Sequence, residues 1–188
     1  MSLTALIVPT FANMLRALSG WLSKAEAQTP GAEAEALLSA RLAPDMFPLS
    51  TQVRFACVQA REAACRLQGR PFPPRIAELI DEGRRGGDSP GSLADARARI
   101  DETLALLDAL APDALDMDPA TPIAHELPNG MVFDLTAEGY ARDWALPQFY
   151  FHLMTAYAIL RSRGVELGKA DYIPHLLPHL RQAEKAQG

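Results

Sequence analysis

Leu49, Val53, Ala56, Ala60, Ala63 and Leu67 recur at alternating steps of four and three residues, the pattern in this chain that restricts the fold most. At about 3.6 residues per turn this spacing lays one narrow apolar seam along a helix. Three of its six positions are alanine, so a partner helix can approach closely. Arg54, Arg61, Glu62 and Gln68 lie largely off the seam, and Gly69 and Pro71 end it. The seam needs partners.

Three further segments carry the same periodicity. Phe11, Leu15, Leu18, Leu22 and Ala25 share one stripe, with Pro9 either in its first turn or kinking it. Leu93, Ala96, Ile100, Leu104, Leu107 and Leu110 form another, with Ser92 placed to cap it. The last runs from about Ala137 to Arg163 on Phe149, Leu153, Ala156 and Leu160, is stopped by Gly164 and contains Pro147. Ala32–Leu42 is a weaker, alanine-rich stretch. Before the last segment, IAHELPNGMVFDL centres on Asn129–Gly130, which predicts a small hairpin with a type I′ turn. Thr136 stands ready to cap the helix that follows. The reading is all-α, a four-helix bundle with a small β-hairpin before the last long helix. The two seams richest in small residues, in 48–68 and in 137–163 or the part of it after Pro147, are expected to be antiparallel or near-antiparallel neighbours with Ala56 and Ala156 buried.

At 188 residues, 20.4 kDa and 48% apolar residues, the chain can fill one core. We read 1–173 as a single domain, 71–92 as a loop within it and 174–188 as a tail helix packing through Leu176, Leu177 and Leu180. The stretch from Pro71 to Gly91 holds four prolines and four glycines. Arg75–Arg84 suits a short helix on Ile76, Leu79 and Ile80, and 83–92 is expected to be a mobile, expendable surface loop without an apolar anchor.

The net charge of −5 and a pI near 5.4 argue against nucleic acid. No run approaches the roughly 18 apolar residues of a membrane span, and MSLTALIVPTF lacks a basic leader, so no membrane partner is expected and the chain reads as cytoplasmic. Cys57 and Cys65 are eight residues apart, about 12 Å along a helix and too far for a disulfide. They read as small buried hydrophobes.

Chemistry rests on four histidines. His152 lies among Phe151, Leu153, Met154 and Tyr157, where an imidazole needs a hydrogen-bond partner from another helix. Gln52 and Asp45, at the head of the second helix, are the candidates. Two accounts fit His152: a satisfied core histidine, or a ligand or acid/base residue at a site between helices. Asp45 has two readings as well, an N-cap or the acidic member of a pocket with His152. Gln148 and Tyr157 complete that candidate pocket. His175 and His179 stand four apart, but Leu176 replaces the metallopeptidase glutamate and Pro178 intrudes, so tail packing is the better account. His125, on the hairpin, is expected to be exposed, and Glu138 and Glu166 solvated. No phosphate-cradling glycine loop, nucleophile elbow or C-x-x-C pair occurs.

RLAPDMFPLSTQVRFAC (Arg41 to Cys57) and LPQFYFHLMTAYAILRSRGVELGKADY (Leu146 to Tyr172) resemble the bacterial domain-of-unknown-function family numbered 1993. The likeness includes the Pro-Asn-Gly hairpin and the endings at Gly164, Gly168 and Lys169, and covers roughly 1–70 and 93–173. It implies the DinB/YfiT-like four-helix bundle, many of whose members bind a divalent metal through three histidines, one on the second helix and two, four apart, on the last. His152 matches the first of that last pair. The position four on is Ala156, and the second helix has no histidine. The resemblance therefore implies a degenerate metal triad, with no metal expected, His152 the sole carried-over ligand, and no cofactor that can be named. The functions that fit are a protein with a small-ligand pocket between helices, a metal- or acid/base-dependent enzyme using His152, or a non-catalytic dimerising module. The corresponding partners are a small molecule and a second copy of the chain.

Overall fold

The apolar stripes become four long helices: α1 (Leu3–Gln28), α3 (Leu49–Arg66), α5 (Leu93–Asp108) and α7 (Leu146–Ser162). Shorter pieces join them: α2 (Ala32–Ala36), α4 (Pro74–Arg84), α6 (Ala137–Gly139) and α8 (Lys169–Tyr172). The structure, a computed structural model, describes residues 2–29, 31–127 and 129–181. α3 packs against α7, α4 and α5, and α1 against α5 and α7, so the long helices close a four-helix bundle around one core. Ile7, Phe11, Val53, Ile100, Phe149 and Leu153 are wholly buried in it, with the Phe11 and Phe149 rings 4.3 Å apart. By length and a mean hydropathy of 1.2, α1 matches a bilayer-crossing helix, yet here its stripe is spent on the core.

Ala56 and Ala156 are both fully buried where α3 meets α7. Gln52 pairs with His152 near the start of α3, while Glu62 and Arg66 near its end act on Tyr140, which precedes α7. The two helices are antiparallel. α5 begins on a capping box, Ser92 Oγ accepting from Asp95 N at 3.0 Å and the Asp95 carboxylate accepting from Ser92 N at 2.9 Å. α1 begins at Leu3, so Pro9 lies inside the helix rather than in its first turn.

Pro147 shapes the entry to α7. It cannot donate to the carbonyl four residues back, and its ring crowds that position. The six residues before α7, Tyr140–Ala145, accordingly widen into a π-helical turn.

The hairpin pairs β1 (Pro122–Glu126) antiparallel with β2 (Val132–Thr136), His125 opposite Phe133. Its turn differs from the expected type I′. Leu127 N donates to Met131 O at 2.8 Å and Gly130 N to Leu127 O at 2.9 Å, which closes a three-residue loop. Only Gly130 has positive φ there, at 83°, whereas a type I′ turn also needs it at Asn129. Pro128 lies outside the described residues.

Two further expectations are corrected. Half of the stretch 71–92 is α4, the short helix expected over Arg75–Arg84; Pro74 opens it, and its Ile76 and Leu79 pack on Val58 and Cys65 of α3 as a second small cluster. The segment after it is held by polar atoms where no apolar anchor exists. Ser50 Oγ donates to Gly86 O at 2.9 Å and Thr51 Oγ1 to Gly83 O at 2.7 Å. The tail is likewise no α-helix as far as it is described: Pro174–His179 is a 3-10 helix with Pro174 in its first turn and Pro178 inside it. Leu176, Leu177 and Leu180 are exposed, not packed, and 182–188 lie outside the described residues.

Candidate functional site

One side of α3 does not face the bundle core. Phe55, Val58, Gln59 and Glu62 follow the i, i+3, i+4, i+7 spacing and share that side. α4 covers it from one direction, the hairpin from another and the start of α7 from a third. Between them lies a cavity of about 430 Å³. Phe47, Phe55, Trp144 and Phe151 supply aromatic walls, and Glu62 and His152 are among its polar groups.

His152 is fixed by Gln52. The Gln52 amide nitrogen donates to Phe47 O at 3.1 Å, so its Oε1 is turned to the imidazole, 2.9 Å from Nδ1. An oxygen can only accept, so Nδ1 carries the proton and Nε2 is left with a free lone pair. Burial pushes the imidazole down to about 4, which keeps it neutral at pH 7. Among the described residues Nε2 has no hydrogen-bond partner, and it is not sealed. The ring edges of Phe55 and Phe151 flank it, with centroids 5.3 Å away on each side.

Glu62 is half-buried on the same wall. Desolvation raises its carboxyl to about 7, and Arg66, one turn on, offsets this only in part. His125 lines the same cavity from the hairpin. Strand alternation turns Ile123 and His125 inward, and His125 is 4% exposed, its ring 4.3 Å from Trp144 and 5.4 Å from Tyr140. Both His125 nitrogens are buried without a partner, as are Tyr140 Oη and Trp144 Nε1. Burial, with Arg66 assisting, lowers the His125 pKa below its ordinary value.

Residues 3–173 match the family model described as "Domain of unknown function (DUF1993)". The chain belongs to the DUF1993 family. A crystal structure of a DinB family member protein from Shewanella denitrificans is 33% identical, with a TM-score of 0.73 over 98% of this chain and 95% of that one. The DinB-like bundle implied by the resemblance is thereby shown. Among the curated proteins, none matches.

In this DUF1993 protein the donor set does not fit a three-histidine metal centre. Ala156, one turn beyond His152, presents only a methyl group, and the Gln52 amide is spent on Phe47 and His152. Among the described residues no three His, Cys, Asp or Glu side chains come together as a metal site. His175 and His179 stay in the tail.

The predicted pocket residues divide. His152 and Gln52 meet, as the apolar surroundings of the histidine required. Asp45 does not join them. It lies exposed in the turn before α3, where the N-cap is Pro48 with no side-chain cap, so it fills neither of its expected roles. Gln148 lies outside the cavity lining, where Trp144 of the π-helical turn and Phe151 occupy that flank. Tyr157 packs edge-on to Trp21, with centroids 5.2 Å apart, on the side of α1 and α8. Five residues past His152 is about 140° around a helix, which points it away. Glu62 and His125 were missed. The hairpin alternation Ile123, His125, Leu127 was the available signal for His125. For Glu62 there was none, because its environment is made by α4 and the hairpin rather than by its own helix.

Proposed function

We propose that this protein binds a small, largely apolar molecule in the cavity between α3, α4, α7 and the hairpin, with His152 Nε2 accepting a hydrogen bond from it. The observation that carries the reading is the Gln52–His152 pair: an amide locked by Phe47 O sets the tautomer, and the free lone pair stands among aromatic rings. The Gln52 bond alone would also serve a packing histidine; what favours a site is that the second nitrogen, Nε2, is left open to the cavity. A cavity of about 430 Å³ with aromatic walls and several polar side chains has the size and make-up of a small-molecule site. The degenerate triad is consistent with binding that does not pass through a metal. Titration of the full chain with small aromatic fragments, followed by NMR, tests it. Saturable shifts at His152 and the Trp144 indole are expected in the parent and absent in His152→Gln, whose amide spectrum otherwise stays folded. A fragment set that leaves both signals unmoved in the parent overturns the reading.

An acid/base enzyme is the second reading, and Glu62 is the observation that favours it. A carboxyl titrating at about 7 in a cavity shared with a neutral imidazole can hold or yield a proton near neutral pH. Carboxyl-carbon NMR of Glu62 should show a midpoint near 7. A midpoint in the ordinary carboxylate range removes this reading and leaves the first intact.

A further inference from the structure

α7 carries two apolar seams, and only one of them faces the core. Phe149, Leu153, Ala156 and Leu160 are buried on the side that α1 and α3 cover. Pro147, Phe151, Met154 and Ala158 repeat the same alternation of four and three residues, roughly half a turn around the helix from the first set. Phe151 is 58% exposed and Met154 40%. From Trp144 to Leu160 the sequence has no Asp, Glu, Lys or Arg, whereas the outer face of a bundle helix is ordinarily charged. A helix apolar on both sides is built to be covered on both.

The turn before α3 widens the patch. Phe47 is 47% exposed, shares the cavity with Phe151, and stands edge-on to Phe55 with ring centroids 5.7 Å apart. Arg163 Nη2 donates to Arg41 O at 3.2 Å, which ties the same turn, with its exposed Leu42, to the end of α7. At about 200 Å² for a whole phenylalanine side chain, Phe47 and Phe151 together leave roughly 200 Å² of ring uncovered. A standard interface buries about 800 Å² on each partner, a little over half of it apolar. The two rings therefore supply close to half of that apolar share, and Leu42, Met154 and the rest of the seam extend it.

We infer that a second copy of this chain covers the outer seam, α7 packing antiparallel on its counterpart about a two-fold axis at Met154. The seam fits its own reverse. It is bulky near its start, at Phe151, and small near its end, at Ala158 and Ser162. Reversal about Met154 sets Phe151 against Ala158 and Pro147 against Ser162, so ring meets methyl at both ends of the contact. Methionine at the centre is the side chain that adapts most readily to its own copy. A partner of opposite charge, or an anionic lipid surface, is recognised through charged residues beside the apolar stripe, and α7 has none between Asp143 and Arg161. The inference rests on α7 and is independent of whether the cavity holds a ligand.

Sedimentation velocity of the full chain up to about 100 µM, a concentration that populates even a modest interface, tests this. The sedimenting mass should be twice the 20.4 kDa of the chain. Met154→Lys places two ammonium groups together at the axis and should weaken association at least about thirtyfold, the loss of a central anchor. Its far-UV circular dichroism and melting temperature should match the parent, since Met154 lies on the surface. Oxidation of Met154→Cys should link two copies through a disulfide, whereas Leu177→Cys, exposed in the tail, should not link. The native Cys57 and Cys65 are buried and give no background. Should Met154→Lys lose its fold, the cross-link decides alone. A monomer at the highest concentration overturns the proposal. So does a dimer that Met154→Lys leaves intact or that Met154→Cys does not cross-link, because a different face then joins the copies. A monomer that co-sediments with phosphatidylcholine–phosphatidylglycerol vesicles assigns the seam to lipid and overturns it as well.

Discussion

Gln52 Oε1 lies 2.9 Å from His152 Nδ1, joining the first turn of α3 to the middle of the antiparallel α7 at the rim of an aromatic cavity. The bond sets the histidine's tautomer and, through burial, its charge. Gln52→Glu should reverse that charge preference. A carboxylate at hydrogen-bond distance favours imidazolium, so the His152 midpoint should rise from about 4 by at least 2 pH units. An NMR titration of the His152 ring protons reads this directly. A midpoint still near 4 would mean that Gln52 does not face the ring.

His152 and Glu62 give folding opposite pH dependences. The imidazole is lowered from 6.5 to about 4, so its contribution is complete above pH 6.5 and is lost as the pH falls toward 4. The Glu62 carboxyl is raised from 4.5 to about 7, so its contribution is complete below pH 4.5 and is lost as the pH rises through 7. Between pH 4.5 and 6.5 the two slopes oppose each other. Glu62→Gln should unmask the histidine: stability should rise more steeply with pH across that window. At pH 8 the variant should exceed the parent by about 2 kcal/mol, with allowance made for partial exposure. Urea midpoints at pH 5 and pH 8 check both slopes, and parent-like values at both would show that Glu62 is solvated.

The bundle was legible because its evidence is local. Ala56 and Ala156 announce close approach by their size and spacing alone, and an imidazole ringed by apolar neighbours announces a missing partner. The cavity was less legible because its walls come from separate elements. Glu62 looks like a solvated residue on α3 until α4 and the hairpin cover it. His125 looks exposed until the strand alternation is extended from Ile123. Asp45 misled for the converse reason: apolar neighbours in sequence do not bury a residue in a turn.

Close approach at the α3–α7 contact makes its alanines intolerant of larger side chains. Both Ala56 and Ala156 are fully buried. Leucine at either position should overpack the seam and cost about 1–3 kcal/mol in chemical denaturation. Two unchanged midpoints would show that the helices can part at no cost.

The segment after α4 should be far from expendable, and Gly86 tests it most sharply. Gly86 is buried, and a Cβ there would stand 2.6 Å from Thr51 Oγ1 and 2.7 Å from Ser50 Oγ. These hydroxyls donate to Gly83 O and Gly86 O, so they cannot swing aside without abandoning buried carbonyls. The strain is one of space, since Gly86 is not among the glycines with positive φ. Gly86→Ala should therefore cost about 1–3 kcal/mol, more than the few tenths typical of a surface loop. Ser50→Ala should be the milder change, leaving one carbonyl unmet. Combined with Gly86→Ala it should relieve part of the clash, so the double variant should lose less than the sum of the two single ones. Urea denaturation of the three variants measures this coupling. Strict additivity, or a Gly86→Ala variant as stable as the parent, would show the segment to be undocked in solution.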